Sequence, residues 1–170
     1  MNIACVSLTG RGATDQFLMQ VVARLEARRM RLAGTVQSNT ERPGRLRCDM
    51  DLRVLPDGPD MRISEDRGDL ARGCRLDSGV LEQTVVEVLS RMEGAELLII
   101  NKFGKRECEG KGLVPVIAEA VGREMPVLVG VNGLNLDELR AFAGDALVQL
   151  PGDVDHAVQW CLEARLALVA

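Results

Sequence analysis

The chain contains no tyrosine, and only one tryptophan, three phenylalanines and one histidine occur among its 170 residues. Aromatic surfaces on which single-stranded nucleic acids stack are therefore nearly absent. The formal net charge of −4 at pH 7 also argues against general nucleic-acid binding. The lone histidine, His156, is interpreted as a surface or helix-packing residue, because no Ser-His-Asp arrangement accompanies it.

Cysteine pairs of the C-x-x-C type are also missing, although the chain has five cysteines. Their odd number and scattered positions indicate neither a disulfide framework nor a zinc site. No apolar run approaches the roughly 20 residues of a membrane-spanning helix. The first residues show no cationic stretch before an apolar segment, so a secretory signal is not expected. These features predict a cytoplasmic protein without a membrane span.

The composition, 46% hydrophobic and 27% charged, is typical of a globular protein, and we expect one domain over residues 1–170. Residues 2–8 read as an apolar strand that leads into a glycine-rich loop. From Asp15 the apolar residues recur at helical spacing, with Thr14 or Asp15 as the expected N-cap. Residues 32–37 read as a second strand. Strand, loop, helix and strand form a βαβ unit, which favours a parallel sheet.

Residues 38–79 interrupt this alternation. Residues 48–54 alternate between apolar and polar, and residues 61–64 follow a Pro-Asp-Gly-Pro turn, so we predict a β-hairpin beside the sheet. Further helices are predicted at 80–92, 115–122, 136–142 and 154–168, and further strands at 96–100, 126–131 and 146–150. The prediction is a three-layer α/β fold with a mainly parallel sheet flanked by helices.

The glycine-rich loop is compared with the P-loop pattern G-x-x-x-x-G-K-[ST], in which main-chain amides and a lysine hold phosphates and a hydroxyl binds magnesium. The aligned residues are Ser7-Leu8-Thr9-Gly10-Arg11-Gly12-Ala13-Thr14. The second glycine and the hydroxyl are retained, whereas the first glycine is serine and the lysine is alanine. The loop is either an anion site supported by the helix dipole or only a strand-to-helix turn.

The second motif follows the apolar strand that ends near residue 100. In P-loop enzymes an Asp, often followed by Glu, organises magnesium at this place, but here Asn101 and Lys102 occupy it. An amide is a poor replacement for a carboxylate around a hard cation, whereas a lysine attracts an anion. Because the carboxyl ends of strands are where open α/β sheets bind ligands, we favour a ligand site over a merely solvated charged loop.

A third candidate is the segment Gly73-Cys74-Arg75-Leu76-Asp77. Arg75 could bind an oxyanion through two hydrogen bonds, and a neighbouring cation could make Cys74 reactive. The simpler interpretation is that Asp77 or Ser78 caps the next helix and that Cys74 packs as a small apolar side chain.

Together these motifs resemble a bacterial family of uncharacterised P-loop-like proteins often found beside molybdenum-uptake genes. The resemblance extends over nearly the whole chain, including residues 10–15, 34–37, 73–77 and 101–105 and the strand that begins at Pro126. That family is similar to small nucleoside-triphosphatases with the Walker B segment D-E-I-G-K-M-E. Residues 101–107 match it at Gly104, Lys105 and Glu107. The resemblance implies a P-loop NTPase-like fold with degenerate Walker A and B motifs.

Three functions remain open. The first is an accessory or regulatory protein that binds a nucleotide or a tetrahedral oxyanion such as molybdate, without magnesium. The second is a divergent nucleoside triphosphatase or nucleotide-dependent transferase that uses Thr14 and Glu107, and the third is a scaffold without a ligand. We favour the first, with a small-molecule anion as partner, and the sequence leaves homo-oligomer formation open. The candidate ligand-binding residues are Gly10, Arg11, Gly12, Ala13, Thr14, Arg75, Asn101, Lys102, Lys105 and Glu107.

Overall fold

The computed structural model describes residues 2–41, 43, 48–65 and 76–166, and within this part of the chain seven strands form one sheet. The strands are β1 (Ile3–Val6), β2 (Leu32–Thr40), β3 (Asp49–Leu55), β4 (Asp60–Arg62), β5 (Leu97–Phe103), β6 (Val127–Val131) and β7 (Leu147–Gln149). Their order across the sheet is β4-β3-β2-β5-β6-β1-β7. All neighbouring pairs from β2 to β7 are parallel, so the prediction of a mainly parallel sheet is confirmed.

Helices cover both faces of this sheet. They are α1 (Ala13–Ala27), α2 (Ser78–Leu89), α3 (Lys105–Cys108), α4 (Val114–Gly122), α5 (Leu136–Ala143) and α6 (Val154–Leu166). Apolar residues of α1 and α6 form one core with one face of the sheet. Residues of α2, α4 and α5 form a second core with the other face. The predicted three-layer α/β architecture is therefore confirmed.

The central strands are apolar without alternation because both of their faces are covered. Leu97, Leu98, Ile99 and Ile100 of β5 all have no exposed surface. A parallel strand between two helical layers needs apolar side chains in both directions, which explains the continuous run in the sequence. Within the described residues, no helix has the length and apolar character needed to cross a bilayer.

The hairpin predicted within residues 38–79 extends one edge of the sheet. β3 pairs antiparallel with β2 from Gly34↔Leu55 to Thr40↔Asp49, and β4 pairs antiparallel with β3. β2 is longer than predicted, because β3 continues to pair with it after the paired residues of β5 end at Gly34↔Ile99.

Helix ends agree less well with the sequence. The prediction that Thr14 or Asp15 caps α1 is wrong, because its N-cap is Gly12, which makes no side-chain cap. The prediction for Asp77 is confirmed, since its carboxylate accepts the amides of Gly79 at 2.9 Å and Val80 at 3.1 Å at the start of α2. The four-residue α3 was not predicted, because so short a helix has no apolar period to detect.

Parallel pairing brings the carboxyl ends of β1, β2, β5 and β6 together along one edge of the sheet. This is the edge at which the strands end, not the sides formed by the outer strands β4 and β7. The glycine loop, defined here as residues 8–14, follows β1 at this edge. The last residues of β2 and β5 and the segment after β6 lie at the same edge. The fold thus places polar residues from four separate parts of the sequence beside the start of α1.

Candidate functional site

Two glycines give the glycine loop its shape. Gly10 has φ of 110° and Gly12 has φ of 72°, both in the left-handed region that other residues rarely adopt. The Ala13 amide donates to the Gly10 carbonyl at 3.3 Å and closes the turn, and the Gln16 amide donates to the Gly12 carbonyl at 3.0 Å. The chain therefore reverses tightly from β1 into α1.

The turn leaves main-chain donors at the start of α1. Among the described residues, the amides of Gly12 and Thr14 have no intramolecular acceptor. The Thr14 hydroxyl oxygen accepts the Leu8 amide at 3.1 Å, which ties the two ends of the loop together and leaves the hydroxyl proton available. Unpaired amides and the positive end of the helix dipole favour a negative group at this point.

Asp15 lies in the first turn of α1, where it would repel a bound anion. Its carboxylate accepts the side-chain amides of Asn39 at 2.9 Å, Asn101 at 3.3 Å and Gln37 at 3.5 Å. Asn101 and Gln37 are buried at the carboxyl ends of β5 and β2. These three hydrogen bonds stabilise the negative charge of Asp15 and join α1 to β2 and β5.

A small cavity of about 90 Å³, called the loop cavity, lies between the glycine loop and these strand ends. Its wall includes Gly10, Gly12 and Thr14 from the loop and Lys102 from β5. Gly130 on β6 also lines it, and a Cβ atom there would lie 2.3 Å from the Asn101 carbonyl oxygen. Residue 130 must therefore be glycine for β5 and β6 to approach this closely.

The structure brings together five of the predicted site residues. Gly10, Gly12, Thr14, Asn101 and Lys102 line the loop cavity.

The other predicted residues of this region do not line the loop cavity. The Ala13 amide is used within the turn, and the Arg11 guanidinium lies 3.8 Å from the Cys48 sulfur. Arg75, with its neighbour Cys74, lies outside the described residues.

Lys105 and Glu107 line a second, larger cavity of about 450 Å³, called the cleft. Glu107 is buried, and burial raises the pKa of its carboxyl group. Its two oxygens accept the amides of Gly104 and Leu113, each at 2.9 Å, and so hold the segment around α3 in place. Asn101 and Lys102 line both cavities and connect them.

Sequence reasoning missed three polar residues of this edge, namely Gln37, Asn39 and Asn132. Gln37 and Asn39 bind Asp15, and Asn132 lines the loop cavity. A signal was present, because each lies at or just beyond the end of an apolar strand segment, where α/β sheets carry their ligand sites.

The sequence of the chain is similar to that of known proteins. The chain is 29% identical over 144 residues to "Molybdenum import ATP-binding protein ModC 2" of Bradyrhizobium diazoefficiens. The aligned region is 84% of this chain but 16% of that protein. The chain therefore spans only a small part of that relative. No solved structure matches the chain. Residues 3–160 match the family described as "Protein of unknown function (DUF2478)". The chain therefore belongs to the DUF2478 family.

Proposed function

We propose that this protein is an accessory or regulatory module that binds a phosphate group of a nucleotide, or a free tetrahedral oxyanion, at the glycine loop. The observation that carries the proposal is that the amides of Gly12 and Thr14, at the start of α1, have no acceptor among the described residues. Such amides, together with the helix dipole, form the main-chain part of phosphate sites in many proteins.

The charges around the loop cavity support weak binding of an anion. Lys102 contributes a positive charge, and Asp15 contributes a negative one. Because three side-chain amides donate to Asp15, its repulsion of an incoming anion is reduced. We expect a bound anion to contact the Gly12 and Thr14 amides on one side and Lys102 on the other.

The size of the loop cavity limits what can bind inside it. Its volume of about 90 Å³ is far below the roughly 300–1,000 Å³ of pockets that enclose a whole small molecule. A single tetrahedral group is the appropriate ligand for this space. A nucleotide would place one phosphate in the loop cavity and its nucleoside outside it.

The proposal does not need magnesium. Asn101 occupies the position of the metal-organising acid, and its amide oxygen is already bonded to the Gln37 main-chain amide at 2.7 Å. The similarity to an ATP-binding protein of molybdenum import makes ATP and molybdate the first ligands to test. A regulatory role connected with molybdenum is part of this proposal and is supported by that similarity.

Titration calorimetry at low ionic strength tests the proposal, with phosphate, molybdate, ATP and GTP each in the presence of EDTA. We expect binding of at least one of them. Lys102→Gln should weaken it and Asp15→Asn should strengthen it, each by about two- to fivefold, as expected for single charges near the surface. Lys111→Gln is the matched control, because this exposed lysine lines neither cavity. No heat with any of the four ligands would overturn the proposal.

The alternative is a divergent nucleoside triphosphatase or nucleotide-dependent transferase. The position of Thr14 on the wall of the loop cavity favours it, since a P-loop hydroxyl binds the metal of a nucleotide complex. Magnesium-dependent phosphate release that is lost in Thr14→Ala would support this alternative. Phosphate release that is equal in the wild type and in Thr14→Ala would come from a contaminant and would count against this alternative.

A further inference from the structure

The cleft is a second cavity with a character different from that of the loop cavity. Its volume of about 450 Å³ falls within the roughly 300–1,000 Å³ typical of small-molecule sites. It lies where β2, β3 and β5 face α2 and the segment around α3. One side of its wall is apolar and is formed by Met50, Leu52, Ile63, Leu76, Leu81 and Leu113.

Two unsatisfied polar atoms lie in residues of this wall. The Thr35 hydroxyl oxygen and the Arg106 Nε atom are both buried and have no hydrogen-bond partner among the described residues. Thr35 has no exposed surface at all. A buried polar atom without a partner is costly, and its usual explanation in a native protein is a bound water, ion or ligand that satisfies it.

Positive charge collects at one side of the cleft. Lys102, Lys105 and Arg106 line it. Arg106 is paired with Glu82 and Glu109, each at 4.0 Å, whereas neither lysine has an acidic partner within the described part of the chain. Glu107 also lines it, but both of its oxygens accept main-chain amides of the segment around α3. Glu109, the other carboxylate among the described residues of the wall, is exposed to solvent and pairs with Arg106 at 4.0 Å.

We propose that the cleft is a binding site for a small organic anion. The apolar part of the ligand packs on Leu52 and Leu81. A polar atom of the ligand accepts a hydrogen bond from the Thr35 hydroxyl. The anionic group lies near Lys105 and Arg106. The proposal stands without any ligand at the glycine loop, because Thr35, Lys105 and Arg106 do not line the loop cavity.

Fluorescence titration with two probes tests this site. The probes are 8-anilinonaphthalene-1-sulfonate, which joins an apolar body to one negative charge, and N-phenyl-1-naphthylamine, which has the same rings without the charge. We expect saturable binding of the sulfonate, tighter than that of the neutral probe. Lys105→Gln should weaken the sulfonate by about two- to fivefold and leave the neutral probe unchanged. Lys111→Gln, at an exposed lysine outside the cleft, should affect neither probe.

A steric pair of variants locates the bound probe. Ser78 is an exposed residue of the wall at the start of α2, whereas Ser90 is exposed at the other end of this helix and outside the cleft. Ser78→Phe should reduce the affinity for the sulfonate by about tenfold or more, because it fills the site, and Ser90→Phe should not. Circular dichroism checks that all four variants are folded.

The outcomes separate clearly. Equal binding by Ser78→Phe and Ser90→Phe, or equal effects of Lys105→Gln and Lys111→Gln on the sulfonate, would overturn the proposal. Failure of phosphate, molybdate and nucleotides to bind the glycine loop would leave these results unchanged. The two proposals therefore stand or fall by different measurements.

Discussion

The Asn101 side-chain oxygen accepts the main-chain amide of Gln37 at 2.7 Å, which fastens the carboxyl end of β5 to that of β2. The same side chain donates from its nitrogen to Asp15 at 3.3 Å and to the Gln37 side-chain oxygen at 3.2 Å. Asn101 thus acts as acceptor and donor at one buried point. An ionised carboxylate can only accept, so the metal-organising acid of P-loop enzymes would not satisfy these partners.

Asn101→Asp should therefore destabilise the protein. The change keeps the bond from the Gln37 amide, removes both donated bonds and places a second carboxylate beside Asp15. We expect a loss of about 2–3 kcal/mol in the free energy of unfolding, measured by urea denaturation at pH 7. Magnesium should restore part of the loss, because two neighbouring carboxylates attract a hard cation.

The control for this variant is Asn132→Asp, which lies on the wall of the same cavity. The Asn132 side-chain oxygen accepts the Asn135 amide at 3.0 Å, and aspartate serves equally well in this capping position. Its free energy of unfolding should remain close to that of the wild type. Equal stability of the two variants would contradict the role assigned to the Asn101 donor.

The close approach of β2 and β5 at Gly34 gives a second prediction. Gly34 has φ of 110°, and a Cβ atom there would lie 1.8 Å from the Ile99 carbonyl oxygen. Gly34→Ala must push two central strands apart, so we expect a loss of at least about 3 kcal/mol or failure to fold.

Gly122→Ala is the matched control for this substitution. Gly122 lies at the end of α4 with nothing within 4 Å of the added Cβ. Its thermal midpoint should be unchanged or slightly raised, because alanine is the better helix former. A thermal midpoint of Gly34→Ala equal to that of Gly122→Ala would show that the two strands can separate without cost.

The order of the elements could be predicted from the sequence because each depends on a local pattern. The continuous apolar run at residues 97–100 indicated a buried parallel strand, and the apolar residues from Phe17 to Leu25 indicated one face of α1. Asp77, one of the two residues predicted as the cap of α2, could be recognised because its carboxylate accepts amides only two and three residues ahead.

The site could be predicted only in part, because its residues meet through pairing across the sheet. Thr14 and Asn101 belong to recognisable motifs, and both line the loop cavity. The Asp15–Asn39 contact depends on the extension of β2 along β3, which no local pattern reveals. The prediction of the α1 cap failed for a related reason. The Thr14 hydroxyl accepts the Leu8 amide and the Asp15 carboxylate accepts side-chain amides of β2 and β5, so neither side chain caps the helix.

A third prediction concerns the buried carboxyl group of Glu107. Burial raises its pKa, so the folded protein holds the proton of Glu107 to a higher pH than the unfolded chain does. The contribution of this group to stability is therefore largest below its ordinary pKa of about 4.3 and falls as the pH rises through the raised value.

Glu107→Gln removes this titration and also removes one of the two bonds to the amides of Gly104 and Leu113, because the glutamine NH2 group cannot accept a hydrogen bond. Urea denaturation at several pH values should show that the stability difference, wild type minus Glu107→Gln, decreases from about pH 4 towards neutrality. A difference that increases over this range would mean that the two main-chain amides, not burial, dominate the energetics of Glu107.

The last prediction uses two buried threonines that differ in one respect. Thr35 and Thr84 both have no exposed surface, but the Thr84 hydroxyl donates to the Val80 carbonyl at 2.8 Å, whereas the Thr35 hydroxyl has no partner among the described residues. Thr35→Val removes an unsatisfied polar atom and keeps the shape of a β-strand side chain. It should raise the free energy of unfolding by about 1 kcal/mol, or the thermal midpoint by about 2–4 °C.

Thr84→Val removes a satisfied hydroxyl and should leave stability unchanged or lower it by up to about 1.5 kcal/mol. Thermal denaturation of the two variants without added ligand measures the contrast. If Thr35→Val also weakens binding of an organic anion in the cleft, the hydroxyl is retained at a cost to stability because a ligand uses it. Equal thermal midpoints for the two variants would instead mean that the Thr35 hydroxyl is satisfied in solution without a ligand.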